Sequence, residues 1–325
     1  MDNDAKLRPL YLGKILYERT DENNCLTTNQ LIDILKKEHN INSHRQTIAT
    51  EIQLLKDYGM NIECVKSRQN KYYLASRKFD LAELKLIIDA VDACKFISGK
   101  KSKELSAKLV GLTSDGHAAD LKRNGSAEGR VRTTNEKTCL IIDAINAAIN
   151  KKKKIAFKYF IYDGKKKKTL KHDGELYVYS PYELIWDGDR YYMLGWSDRH
   201  GEVRTFRVDR IADVPAVLPA KAVKKPAGFS AAKFVGTNYR MFEGETKEVT
   251  LVCDNDTMDS MVDRFGEKVE TKPVDNRRFR LKAEVAESSV FYAWIFGFGG
   301  KVKIEAPKDM KAAYLNMVNN ALIEA

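Results

Sequence analysis

The sequence is poor in the residues that mark secreted, metal-bound or membrane-embedded proteins. Its five cysteines, Cys25, Cys64, Cys94, Cys139 and Cys253, are scattered through 325 residues. None forms a C-x-x-C pair and none stands near a histidine at metal-ligand spacing. That excludes a disulfide framework and a zinc module, and no metal or cofactor is expected. Reduced thiols and a polar N-terminus without a secretory pattern imply a cytoplasmic protein. No apolar run approaches the ~20 residues that cross a bilayer, so no membrane partner is expected. Histidine is equally sparse: His39, His44, His117, His172 and His200 form no Ser/His/Asp grouping along the chain. Gly164 precedes a lysine run without the GxxxxGK[ST] spacing of a phosphate loop. With no catalytic constellation visible, the expectation is a protein that is not an enzyme.

What the sequence has is positive charge. Lys and Arg number 56 against 45 Asp and Glu, for a net charge of +11 and a pI near 9.2. That balance raises the weight of an anionic partner, with nucleic acid first, although lysine-rich surfaces also serve solubility. A hydrophobic content of 43 % is enough for real cores in two or three domains.

The first eighty residues carry helical punctuation. Leu12, Ile15 and Leu16 recur at helical spacing within Lys6 to Thr20. Thr27-x-x-Gln30 has the form of a capping box, in which both side chains satisfy orphan N–H groups at a helix start. The helix it opens buries Leu31, Ile34 and Leu35 and ends near His39-Asn40. Ser43-x-x-Gln46 is a second capping-box candidate, opening a helix with Ile48, Ile52 and Leu55 on one face, stopped by Gly59. Two short strands, Ile62 to Lys66 and Lys71 to Ala75, flank a turn at Ser67 to Asn70. The order predicts a winged helix-turn-helix, whose third helix enters a DNA major groove by its N-terminal half. The groove-facing candidates are His44, Arg45, Gln46, Thr47, Thr50 and Glu51. Arg45 suits a guanine or a phosphate and Gln46 an adenine, while Arg68 and Lys71 on the wing suit phosphates, which position without specifying. The alternative is a three-helix protein-contact module.

A helical connector follows. Asp80-x-x-Glu83 opens a helix with Leu84, Ile87, Ile88, Val91 and Cys94 on one stripe, and a second is expected from Ser102 through Leu112. From Thr113 to Thr134 glycine, serine and charge replace apolar residues, which predicts a linker. Glu136 to Asn150 is an amphipathic helix closed by Lys151 to Lys154. Strands are then expected at Ile155 to Tyr159, Leu176 to Ser180, Tyr182 to Trp186, Arg190 to Gly195 and Val203 to Ile211. Five short strands with polar turns predict a small SH3- or Sm-like β-barrel.

The last of these strands raises a question, because it holds Arg204, Phe206, Arg207 and Arg210 together. Strict alternation sends Arg204, Phe206, Val208 and Arg210 to one face and Arg207 with Asp209 to the other, unless a bulge intervenes. Either Arg207 pairs with Asp209 or another acid and the rest are solvated, or the arginines and aromatics form a pocket for an anion such as a nucleotide or single-stranded nucleic acid. From Val249 the order is strand, helix, two strands, helix, strand and a last helix from Lys308, a ferredoxin-like α/β pattern. Phe291, Trp294, Ile295 and Phe298 are expected in a core or a dimer contact.

The run SPYELIWDGDRYYMLGWSDRHGEVRTFRVDRI, from Ser180 to Ile211, resembles the WYL-domain family of bacterial transcriptional regulators. The family's Trp-Tyr-Leu tripeptide corresponds to Tyr191-Tyr192-Met193, so two of three residues depart from it. Ser180-Pro181-Tyr182 before it and Arg204-x-Phe206-Arg207-x-Asp209-Arg210 after it fit the pattern. The C-terminal hundred residues are similar to the extension common in these regulators, with Trp294 and the Phe298-Gly299-Gly300 turn in their usual places. The resemblance implies a ligand-sensing, usually dimeric, DNA-binding regulator of α+β class. Its expected parts are a winged helix-turn-helix over 1–78, a helical connector over 79–134, the WYL barrel over 135–220 and a dimerising C-terminal extension over 221–325. It implies a ligand site at Tyr159, Ser180, Tyr182, Tyr192, Arg204, Phe206, Arg207 and Arg210 for a nucleotide or single-stranded nucleic acid, and a duplex DNA operator as partner of a homodimer. The loss of the tripeptide's Trp leaves Tyr191 as the ring at that position. At Thr50-Glu51 the family often has Arg-Asp, so one contact to DNA is missing here. Some members accompany CRISPR or phage-defence systems. The alternative function is therefore an accessory protein that binds single-stranded RNA or DNA and modulates a nuclease effector.

Overall fold

Thr27 starts the second helix in the way its spacing predicts: its hydroxyl accepts from the Gln30 N–H at 3.2 Å and its own N–H donates to Gln30 Oε1 at 2.8 Å. The computed structural model describes residues 3–66, 68–123, 131–238, 241 and 244–323, so Ser67 of the expected turn and residues 124–130 of the expected linker lie outside the described residues. The chain divides into two units, Met1–Glu136 and Lys137–Ala325. Its class is mixed α+β, with antiparallel sheets.

In the first unit, α1 (Asn3–Arg19), β1 (Leu26–Thr27), α2 (Thr28–His39) and α3 (Arg45–Asp57) precede a hairpin of β2 (Ile62–Val65) and β3 (Lys71–Leu74). The strands form one sheet in the order β1-β3-β2. Leu12, Leu16, Leu31, Leu35 and Ile48 are fully buried at the junction of the three helices, with Tyr72 and Leu74 of the hairpin packed onto them. Asn40 closes α2 in the left-handed conformation, at φ 55°. Thr20 Oγ1 donates to Leu16 O at 2.6 Å and accepts from the Leu74 N–H at 2.9 Å, tying the hairpin to the end of α1. The capping box expected at Ser43 does not form. The residue preceding α3 is His44, which makes no side-chain cap bond, and Ser43 Oγ is buried without a partner among the described residues.

The connector helices are α4 (Leu81–Ala93), α5 (Gly99–Val110) and α6 (Asp115–Arg123). Asp80 and Glu83 cap α4 reciprocally. The second helix starts at Ser98, whose Oγ accepts from Lys101 N, rather than at Ser102. Part of the expected linker is instead helix α6. It folds because Leu121 has an apolar face to join, beside Leu84 and Ile88, and because Ser114 Oγ donates to the buried Asp21 carboxylate at 2.5 Å.

The second unit begins with α7 (Thr138–Asn150). The strands that follow are β4 (Lys153–Phe157), β5 (Phe160–Tyr162), β6 (Lys168–Leu170), β7 (Tyr177–Asp187), β8 (Arg190–Ser197), β9 (Glu202–Arg207) and β10 (Ala216–Lys221). Five of them form a sheet in the order β10-β4-β7-β8-β9, and β5 and β6 pair apart from it. Ile141, Ile145 and Ala148 of α7 close one side of a core with Phe157, Tyr177, Tyr179 and Met193. Two expectations are corrected. Leu176 to Ser180 and Tyr182 to Trp186 belong to one eleven-residue strand, with a register shift between Pro181 and Glu183. The strand expected to run to Ile211 stops at Arg207, and Val208–Arg210 is a 3-10 turn. Alternation therefore fails after Arg207, and both Val208 and Asp209 are buried.

The C-terminal part holds α8 (Ala231–Thr237), β11 (Thr246–Asp254), α9 (Met258–Phe265), β12 (Glu270–Pro273), β13 (Arg278–Ala286), α10 (Ser289–Phe296), β14 (Val302–Ala306) and α11 (Lys308–Ile323). The sheet order β12-β13-β11-β14 is antiparallel throughout. Phe291 and Ile295 are core residues and Trp294 packs partly buried against them.

Candidate nucleic-acid interfaces

In the first unit the start of α3, the start of α2 and the hairpin turn converge on one polar concavity of about 280 Å³. Arg45 and Arg68 both line it, beside Asn29, Gln69 and Asn70, and no carboxylate is among its described lining residues. Arg45 Nε donates to Asn29 Oδ1 at 3.0 Å, which aims the guanidinium from the first residue of its helix. An exposed arginine pair over neutral amides can bind phosphate oxygens or base edges. His44, Gln46, Thr50 and Lys71 are exposed nearby in the chain and Thr47 is half-buried, but none of these lines the concavity. Thr50 turns its hydroxyl onto Gln46 O at 3.1 Å. Glu51 leaves the candidate set altogether: it is 8 % exposed and pairs inward with Arg8 Nε at 2.7 Å. Asn29 and Asn70 were missed in the sequence, because they stand one residue inside a capping box and at the end of a turn, positions with a structural explanation of their own.

In the second unit the residues of the expected ligand site separate into several small groups. Ser180 and Tyr182 face the chain that follows β10. Ser180 Oγ accepts from the Val223 N–H at 2.9 Å and Tyr182 Oη donates to Lys224 O at 3.0 Å. Both are buried, so they fasten a segment rather than line a pocket. Tyr159 and Phe206 sit ring edge to face at 5.2 Å. Burial pushes the Tyr159 phenol up to about 12, against the pull of the Arg207 N–H that donates to it. Tyr192 lies opposite Arg207 in the β8–β9 register.

The arginines divide further. Arg207 holds Asp209 with two bonds, Nε to Oδ1 at 3.1 Å and Nη2 to Oδ2 at 2.8 Å. Arg190 Nη1 reaches the same carboxylate at 3.3 Å, and Asp209 is only 3 % exposed. Arg210 lies over the rings of Tyr162 at 4.9 Å and Phe160 at 5.9 Å. Arg204 is half-buried and paired with Glu202. The Arg207–Asp209 pairing open from the sequence is formed, while Arg204 and Arg210 are engaged by Glu202 and by aromatic rings rather than simply solvated. Tyr179 and Gly195 explain how the sheet folds so tightly there. The Tyr179 ring lies where a Cβ on Gly195 would stand 2.7 Å away, and its hydroxyl donates to Arg204 O at 2.6 Å.

Comparison with known families matches residues 141–216 to the WYL domain and residues 245–322 to the WCX domain. The chain thus carries a WYL domain followed by a WCX domain. Among solved structures it is similar to proteasome accessory factor B/C of Arthrobacter aurescens, with 18 % identity and a TM-score of 0.30 over 95 % of this chain and 45 % of that one. The chain thus spans less than half the length of that relative. It is also similar to a CRISPR Cas-related protein, with 13 % identity and a TM-score of 0.38 over 77 % of this chain and 74 % of that one. A comparison with curated proteins returns no match.

Within the WYL domain the tripeptide position shows what its departures do. Met193 is fully buried where the family has Leu, and Tyr191 packs partly buried against the same core. The WYL domain also carries residues that the motif did not single out. Tyr177 is 1 % exposed, with Arg199 Cζ 5.9 Å from its ring and His172 and His200 rings at 5.7 and 6.4 Å. Nothing in their spacing marks them, because they come from β7 and two separate turns. Among the described residues no helix is long and apolar enough to cross a membrane.

Proposed function

We propose that this WYL-domain protein is a DNA-binding transcriptional regulator, not an enzyme, whose affinity for an operator changes when its WYL domain binds a nucleotide or single-stranded nucleic acid. We read the first unit as a winged helix-turn-helix, the β10-β4-β7-β8-β9 sheet as a small Sm-like barrel and the C-terminal sheet as a ferredoxin-like module. The observation that carries the DNA-binding part is the concavity in which Arg45 at the start of α3 meets Arg68 of the hairpin turn. A helix start presented beside a basic hairpin suits a major groove flanked by backbone phosphates. Its charge agrees with the net +11 of the chain.

The mechanism is a coupling free energy between the two nucleic-acid surfaces: ligand on the WYL domain changes operator affinity, and operator changes ligand affinity by the same factor. As a homodimer the protein reads two half-sites whose spacing follows its own symmetry. The test is duplex binding at several salt concentrations. Arg68→Ala, losing a phosphate contact, lowers the slope of log K against log salt by about 1. Arg45→Ala costs about 1–3 kcal/mol and relaxes preference at one base position. Duplex affinity that neither substitution changes would sink the reading. Affinity confined to single strands would replace it with that of an accessory protein acting on a nuclease effector.

A further inference from the structure

The strongest unassigned feature lies at the end of the WYL sheet away from Arg207. Tyr177 is 1 % exposed, and its hydroxyl is buried with no hydrogen-bond partner among the described residues. A buried phenol without an acceptor is costly, and most such groups in native proteins have one. Around it stand Arg199, whose guanidinium lies 5.9 Å from the ring, and the imidazoles of His172 and His200. His172 is carried by a turn in which three successive residues are left-handed: His172 at φ 52°, Asp173 at φ 51° and Gly174 at φ 81°. Two of them are not glycine, so the turn holds its shape against the ordinary preference of L-residues.

Burial, and then Arg204 and Arg199, push the His200 imidazole below its ordinary range, with Glu202 opposing and Lys171 adding to the push. His200 Nδ1 is engaged by Ser197 Oγ at 2.8 Å, which leaves Nε2 for another partner. The cations here have carboxylate partners already, Arg199 with Glu175 at 2.6 Å and Arg204 with Glu202. Those carboxylates are 67 % and 54 % exposed. Exposed pairs of this kind are weak and exchange readily with a competing anion. Arg207 offers no such exchange, since Asp209 is buried beneath it.

We propose that Tyr177, His172, His200 and Arg199 form a phosphate site, separate from the Tyr192–Arg207 face, which takes a phosphate group of the sensed nucleotide or strand. The inference rests on the reading that the WYL domain binds such a ligand. A phosphate oxygen supplies the acceptor that the Tyr177 hydroxyl lacks, and Arg199 exchanges Glu175 for a second oxygen. His200, protonated once the anion arrives, donates through Nε2. A terminal phosphate and a backbone phosphodiester share this chemistry.

The test uses the full chain with three probes: inorganic phosphate, a short oligothymidylate with a 5′-phosphate, and the same strand without it. Imidazole resonances, assigned with His200→Gln, report on the site, and anisotropy reports on strand binding. Inorganic phosphate is expected to raise the midpoint of the His200 titration. Tyr177→Phe is expected to keep or raise the melting temperature, because it removes an unsatisfied group, while weakening phosphate binding about tenfold. Arg199→Ala weakens it similarly. A Tyr177-dependent preference for the phosphorylated strand assigns the site to a terminal phosphate; equal, Tyr177-dependent binding of both strands assigns it to the backbone. A His200 resonance indifferent to phosphate, or equal phosphate affinity in Tyr177→Phe and the parent, overturns the proposal. Strand binding that ignores Tyr177→Phe and Arg199→Ala removes this site but leaves the sensing function standing. Tyr177-dependent phosphate binding without any strand binding does the reverse.

Discussion

Asp209→Asn keeps the shape of a buried side chain and removes its charge. The carboxylate is 3 % exposed and accepts from Arg207 at 3.1 and 2.8 Å and from Arg190 at 3.3 Å. Removing one partner of a buried ion pair costs about 3–5 kcal/mol, mostly by leaving the other charge dry and unpaired. Here the two arginine side chains keep 24 % and 25 % exposure, and asparagine retains one acceptor oxygen. Both facts discount the cost, to about 2–3 kcal/mol. For a unit of this size that lowers Tm by roughly 5–10 °C. The assay is urea and thermal denaturation followed by the tyrosine-rich near-ultraviolet signal of the second unit. The double variant Arg207→Ala/Asp209→Ala should lose less than the sum of its single variants, since it removes both charges together. If Asp209→Asn stays within about 0.5 kcal/mol of the parent, a level typical of surface changes, the pair is not structural. Arg207 then returns to the list of ligand residues.

Other substitutions test other joints. Gly195→Ala places a Cβ 2.2 Å from Ser180 O and 2.7 Å from the Tyr179 ring; it should destabilise the WYL domain by about 3 kcal/mol or more, seen as loss of soluble folded protein. Arg8→Ala strands the buried Glu51 carboxylate and should lower the stability of the first unit by about 3 kcal/mol, measured by urea denaturation, with no role for Glu51 at DNA. Burial raises the Asp21 carboxyl, but hydrogen bonds from Ser114, Asn24 and the Asn23 N–H outweigh it and hold it below its ordinary range. Its stabilisation is therefore complete above the ordinary aspartate value near 4 and is lost as pH falls through the lowered one. Asp21→Asn should weaken the first unit at pH 7 and flatten its acid limb, as read by denaturation between pH 2 and 7.

Local rules read well from this sequence where a short-range interaction decides the outcome. The Thr27–Gln30 and Asp80–Glu83 boxes form as written, because each satisfies its partner within one helical turn. Ser43-x-x-Gln46 has the same spelling and fails, since the chain enters α3 through His44. The WYL match shows that the motif from Ser180 to Ile211 carries family information despite Tyr191 and Met193. What the motif could not reveal was which of its residues face a ligand. Ser180 and Tyr182 are spent on the backbone of residues 223 and 224, a contact over forty positions away. Asp209 turns inward because a 3-10 turn replaces the last residues of an expected strand, and alternation has no term for that. Tyr177 and His200 come together through the pairing of β7 with β8, and nothing in the spacing of Tyr177, His172 and His200 marks them as neighbours.

We propose two nucleic-acid surfaces, one on each unit of the chain. The most direct test is an anisotropy titration of matched duplex DNA, single-stranded DNA and single-stranded RNA at several salt concentrations, on the parent, Arg45→Ala and Tyr177→Phe. Duplex binding is expected to weaken in Arg45→Ala alone, and single-strand binding in Tyr177→Phe alone. Single-strand binding that dominates while Arg45→Ala changes nothing would contradict it, and would make the WYL domain the working surface of the protein.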